Sequence, residues 1–192
     1  MQVVEVFHVA QYIVEIHADL DPPNPRKEMD NLGVMVCWHR RAHYGDEQVR
    51  NVMLAMHSLR EVESWLKKER DAVVVLPIYI YEHGPVILSA RYEDYLRWPD
   101  HQWDCGQVGY IYVARESLKK EYGVTRISKK TKQMAAQVLA GEVDTYNQYL
   151  NGDVYGYVIA DEEGDHAASC GGIFGLDYAR EAAKEAVACL RR

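Results

Sequence analysis

Phenylalanine is scarce: the chain has two, against fourteen tyrosines and four tryptophans. Its ring surface therefore carries polar handles almost everywhere, which suits half-wet positions better than a dry core. Cysteine is also sparse. Cys37, Cys105, Cys170 and Cys189 are far apart, with none at Cys-x-x-Cys spacing, so neither a disulfide framework nor a ribbon-type zinc site is readable. No apolar run reaches 18 residues, which argues against a helical membrane span. Residues 1–10 lack a basic stretch followed by a long apolar run, so the expectation is a cytoplasmic protein with reduced thiols, in a host cytoplasm if a phage encodes it. Positive charge is in deficit: the net charge is −7, a poor match for a general binder of duplex DNA. Internal repeats, long linkers, the Walker Lys-Ser/Thr and the dinucleotide glycine pattern are all missing.

What remains is 192 residues, 48% hydrophobic and 27% charged, the balance of an ordinary globular chain. Charge is unevenly placed. Residues 115–141 hold seven basic and two acidic side chains, whereas 142–192 hold four and ten. Such a dipolar surface can steer a partner or assemble copies, so a homo-oligomer is one expectation.

Apolar, β-branched stretches predict strands at Val3–Val9, Tyr12–Ile16, Gly33–Trp38, Ala72–Tyr81, Pro85–Ser89 and Gln107–Val113, and a hairpin from Val154–Ala160 and His166–Ile173. Pro77 places its part of the Ala72–Tyr81 strand at an edge or a bulge. Helical periodicity predicts Glu47–Arg70 capped by Asp46, Arg115–Tyr122 stopped by Gly123, and Ser128–Leu139 stopped by Gly141. Two more helices follow, Thr145–Leu150 begun by Asp144, and Asp177–Leu190; Ala90–Gly106 reads mostly as loop. The expected fold is α+β over residues 1–192 as a single domain, with a mixed or mostly antiparallel sheet packed against several helices.

Several segments could carry chemistry. Asp19, Asp21, Asn24, Asp30 and Asn31 offer oxygen ligands on a proline-stiffened loop, without EF-hand spacing. His39 and His43 stand four apart beside Cys37, a partial zinc set needing His101 or Cys105 to complete it. Arg40 and Arg41 in the same run repel a cation but suit a phosphate or carboxylate. Trp103, Asp104 and Gln107 precede a strand, where a rigid element presents a loop. Cys105 with His101 is a candidate nucleophile and base that lacks recognisable oxyanion donors. Ser169–Gly175 and Arg126–Lys132 are weak phosphate signals. Tyrosine pairs at 79/81, 110/112 and 155/157 each fall on one sheet face, either an interface or a face under a helix.

The segments DPPNPRKEMDNLGVMVCWHRRAHYGD, LPIYIYEHGPVILS, WDCGQVGYIYV, GEVDTYNQYLNGDVYGYVI and SCGGIFG resemble a family of small uncharacterised proteins carried by bacteriophages, prophages and plasmids. The resemblance runs from about Asp19 to Gly175. The family pattern has serine where Cys105 stands and tryptophan where Gly171 stands, which counts against Cys105 as a nucleophile. The resemblance implies an accessory binding protein, with counter-defence as a role, that occupies a host protein or sequesters a small anionic ligand. Arg40, Arg41, Trp103, Asp104 and Gln107 are the expected contacts, with no catalytic residue and no cofactor assigned. Two alternatives stand: a metal-dependent hydrolase of a nucleotide or nucleic acid, using Asp19, Asp21 and Asp30 with His39 or His43 as base, and a structural or assembly protein.

Overall fold

A computed structural model describes residues 2–49, 51, 54–56, 58–99 and 104–191, and its strands and helices bear out the α+β class. Residue contacts concentrate in two compact units, one of residues 1–25 with 148–192 and one of residues 26–147. Each carries its own sheet, where the sequence reading expects one.

The first unit is a four-stranded antiparallel sheet in the order β1-β2-β8-β9, with β1 Gln2–Val9, β2 Tyr12–Ala18, β8 Val154–Ala160 and β9 His166–Phe174. The opening apolar stretch thus resolves into a hairpin, which Ala10 closes at φ +54°. The second hairpin turns at Gly164, whose φ of +87° is cheap only for glycine. Val14, Ile16 and Ile159 point from the sheet onto Ala179, Ala183 and Val187 of α6 (Leu176–Leu190). That i, i+4, i+8 stripe is small at its start, so the helix can approach the strands closely.

The second unit has a five-stranded sheet in the order β4-β3-β7-β5-β6, with β3 Val34–Cys37, β4 Glu47–Gln48, β5 Ala72–Glu82, β6 Val86–Ser89 and β7 Cys105–Ala114. All pairs are antiparallel except β3 with β4. Val62 and Leu66 of α2 (Leu59–Glu69) pack with Val36, Tyr110 and Tyr112 on one face. On the other, Leu139 of α5 (Lys129–Leu150) lies against Gly33 and Ile111 so closely that a Cβ on Gly33 would fall 2.3 Å from its methyl. Gly109 allows a second close approach, since a Cβ there would meet the Val36 carbonyl oxygen at 2.5 Å. The short helices α1 (Pro25–Glu28), α3 (Tyr92–Arg97) and α4 (Arg115–Tyr122) complete the described elements.

Pro77 pairs with Tyr110 on β7, and β6 joins β5 only from Tyr79, so the proline lies where one side of β5 carries no ladder among the described residues. This meets the edge expectation. Gly123 caps α4 in the left-handed conformation, also as expected.

Four readings need correction. The expected helix Glu47–Arg70 is not continuous: Glu47–Gln48 adds a strand beside β3, Asn51 and Leu54 are helical, and the long helix starts afresh at Leu59, where Ser58 accepts the Glu61 N–H. Asp46 caps nothing, since Arg26 and the Met35 N–H occupy its carboxylate. Val52 and Met53, part of that periodicity, lie outside the described residues. Gly141 does not stop a helix: α5 runs on through it, so Asp144 starts no new one and instead pairs with Arg91. Residues 90–106 contain α3, whose Tyr92 and Tyr95 pack on Tyr79. Tyrosine faces are mostly packed: Tyr110 and Tyr112 lie under α2, and Tyr155 and Tyr157 border the α6 core. The buried Tyr110 hydroxyl donates to the Leu59 carbonyl. Among the described residues, no helix is long and apolar enough to cross a membrane.

Candidate functional site

The end of β3 sets the site. Cys37 is fully buried and paired with Gly109, and the Trp38 N–H donates to Val108 O, which holds the chain to β7 for one residue more. The chain then turns. His39 Nδ1 accepts the Ala42 N–H at 3.1 Å and lies 3.4 Å from the Arg41 nitrogen. A ring nitrogen that accepts carries no proton, so the hydrogen sits on Nε2, which donates to Glu82 Oε2 at 3.1 Å. The imidazole therefore closes the turn and ties it to the end of β5. Arg40 and Arg41 occupy the exposed tip between.

These groups line one cavity of about 720 Å³. Arg40, Arg41, His39, Glu82 and Gln107 supply its polar wall, and Trp38, Leu54, Ile80 and Val108 the apolar part. A second cavity of about 560 Å³ shares Arg40, Ile80 and Glu82 and adds Asp104, Cys105 and Gly106. Asp104 Oδ2 lies 3.0 Å from His83 Nδ1, and its carbonyl accepts the Glu82 N–H. Gln107 is steadied by its own amide, which donates to Gly109 O.

Arginine pairing is uneven along the chain. Arg26, Arg70, Arg91, Arg115 and Arg180 each hold a carboxylate. No ion pair or hydrogen bond engages the guanidinium of Arg40 or Arg41 among the described residues. Arg60, Arg97, Arg126 and Arg191 also hold no carboxylate among the described residues, and what sets Arg40 and Arg41 apart is that they are adjacent and line one cavity. Two adjacent, exposed, unpaired guanidiniums over an apolar floor can take an anion without first breaking a salt bridge.

Of the expected contacts, Arg40, Arg41 and Gln107 therefore meet in one cavity, and Asp104 stands in the adjoining one. Trp103, like His101, lies outside the described residues. Glu82 and Trp38 were missed. The available signal for Glu82 was its position as the first charge after the apolar run of β5, where strand ends commonly present functional groups.

The metal candidates do not converge. No group of three or more His, Cys, Asp or Glu side chains is placed to hold a metal among the described residues. Asp19 instead pins its loop, accepting the Asp21 and Gly172 N–H groups at 3.1 Å each. With Asp21 it lines a separate cavity of about 580 Å³ in the first unit. Asp30 and His43 are exposed in the second unit. Both ring nitrogens of His39 are engaged, so neither is free to coordinate a metal. Burial, reinforced by the Asp46 charge, pushes the Cys37 thiol up to about 12, which removes it as a thiolate ligand.

The proline-rich loop is organised by a cation rather than around one. The Arg26 side chain is 3% exposed and bonds Asp46, Asn31 Oδ1, Glu142 and the Gly33 carbonyl. Burial works against its charge, but the hydrogen bonds that it donates to Asp46 and Glu142, with their negative charges, more than offset this and raise its pKa. Asn31, expected as a metal ligand, serves this guanidinium. The glycine-rich segment before α6 is equally committed: Gly172 N–H goes to Asp19 and Gly175 N–H to Asp153 O, so these two amides are not free to cradle a phosphate. At the start of α5, Ser128 accepts the Thr131 N–H, and Lys129, Lys130 and Lys132 are exposed. No protein-family model, curated protein or solved structure matches the chain.

Proposed function

We propose that this chain is an accessory protein of a phage or related mobile element, that it works in the cytoplasm by binding without turnover, and that it sequesters a small anionic ligand in the Arg40–Arg41 cavity. Counter-defence is the role in which such sequestration serves its carrier. The observation that carries this reading is the pair of unpaired guanidiniums on a cavity with an apolar floor. The size falls within the range of small-molecule sites. Binding is favoured over hydrolysis because His39 is held at both nitrogens and no metal-binding cluster stands among the described residues.

The test is calorimetric titration of the full chain with inorganic pyrophosphate, beside the Arg40→Ala/Arg41→Ala double variant. Each charge-assisted hydrogen bond is worth about 1.5–3 kcal/mol, so the double variant should bind at least about tenfold more weakly. The wild type should weaken with added salt, and pyrophosphate should be recovered intact. Equal affinity of the two proteins, with unchanged circular dichroism, overturns the assignment.

A further inference from the structure

Glu82 is out of place in a site for a bare anion. A carboxylate beside two guanidiniums repels phosphate, yet it lines the same cavity as Arg40 and Arg41. It is also held in position. His39 donates to Oε2, while Oε1 has no hydrogen-bond partner among the described residues. An oriented acceptor that a ligand will cover must receive donors from that ligand, or its desolvation goes uncompensated. The occupant therefore has an anionic end for the arginines and an edge of N–H donors for Glu82. Between them lie Trp38, Leu54, Ile80 and Val108, an apolar surface suited to a planar ring.

Resting on the anion-site reading above, we propose that the cavity selects a guanine nucleotide, with its phosphates on Arg40 and Arg41 and its Watson–Crick edge on Glu82. Guanine presents N1–H and the 2-amino group side by side, the donor pair that matches a carboxylate in bidentate fashion. Adenine and cytosine turn a ring-nitrogen acceptor toward the same carboxylate. Uracil flanks its one N–H with two carbonyl oxygens. Each of these three offers Glu82 one donor group with a lone pair beside it, so it makes a single hydrogen bond and sets an acceptor against the second carboxylate oxygen, and the residue that accepts guanine disfavours them.

Calorimetry of the full chain with guanosine, inosine and adenosine 5′-diphosphates tests this. Guanosine diphosphate should bind about tenfold or more tighter than adenosine diphosphate, since one hydrogen bond to a charged group supplies that much. Inosine diphosphate keeps N1–H but lacks the 2-amino group, and should fall between. Glu82→Gln should abolish the ranking, because the amide offers a donor where the second acceptor oxygen stood. Equal affinity for the three nucleotides, with pyrophosphate still bound, overturns the guanine assignment and leaves the anion site standing. Failure of nucleotides and pyrophosphate alike overturns both. Should Glu82→Gln fail to fold, the ranking on the wild type decides alone.

Discussion

Arg26 carries more structural consequence than any residue the sequence patterns single out. Its guanidinium is almost wholly enclosed and holds two carboxylates, Asp46 at Oδ2 and Glu142 at Oε2. Glu142 also accepts the Leu32 N–H at 2.7 Å, and Asp46 the Met35 N–H at 2.7 Å. The cluster thus fastens the loop before β3 and the segment after the Arg40–Arg41 turn to one point. Arg26→Ala would leave Glu142 mostly enclosed and Asp46 partly exposed without their cation, so the loss should be about 2–3 kcal/mol, between that of an exposed pair and that of a fully buried one. The urea midpoint of the variant, followed by tryptophan fluorescence, reads this directly. A loss under about 1 kcal/mol would mean that water reaches both carboxylates and that the cluster is not a structural anchor. Nothing in the local sequence announces this role. The partners stand 20 and 116 residues away, so periodicity, turn chemistry and spacing within a window are blind to it. Arg40 and Arg41 were legible as a pair for the opposite reason, being neighbours in sequence, whereas Glu82 reaches the same cavity only through a contact spanning 43 residues.

At the scale of elements, legibility followed how far each signal was local. The β8–β9 hairpin and α4 with its Gly123 cap could be read because alternation and capping act over a few residues. Glu47–Gln48 could not, because two residues become a strand only by lying beside Val36 and Cys37. Gly141 misled in a different way. Glycine is a good stop signal, but it forbids nothing, and Leu139, Ala140, Val143 and Tyr146 bury enough on either side to carry α5 through. Its backbone has no positive φ, and a Cβ built there meets nothing within 4 Å. The glycine therefore contributes flexibility without a packing reason. Gly141→Ala should stabilise the second unit by about 0.5–1 kcal/mol through helix propensity and a less flexible unfolded chain. Differential scanning calorimetry should show a higher melting temperature. An unchanged or lower value would show that the position needs a residue without a side chain, contrary to the open space around it.

Across the whole molecule, the tyrosine excess and the buried thiol act together at alkaline pH. Burial raises the pKa of Tyr44, Tyr79, Tyr110 and Tyr112 in the second unit, and of Tyr155 and Tyr157 in the first, above the usual value near 10. Cys37 moves further, from a usual value near 9 to about 12. All are neutral when protonated, so the folded chain keeps protons that the unfolded chain releases. Above pH 9 the unfolded state therefore binds fewer protons than the folded one, and stability must fall as pH rises. The contribution is complete below the unfolded pKa values and is lost through the window from about 9 to about 12 that the thiol defines. Each whole proton of difference gives a slope of about 1.4 kcal/mol per pH unit. Urea midpoints measured from pH 7 to pH 11 should decline from about pH 9 upward, and Cys37→Ala should shallow the slope over pH 9–11 whatever it does to stability at pH 7. A wild-type stability that stays level to pH 11 would mean that the thiol and the tyrosine hydroxyls reach water in the native state. The packing of Cys37 against Gly109, on which the approach to the Arg40–Arg41 turn depends, would then be looser than its full burial implies.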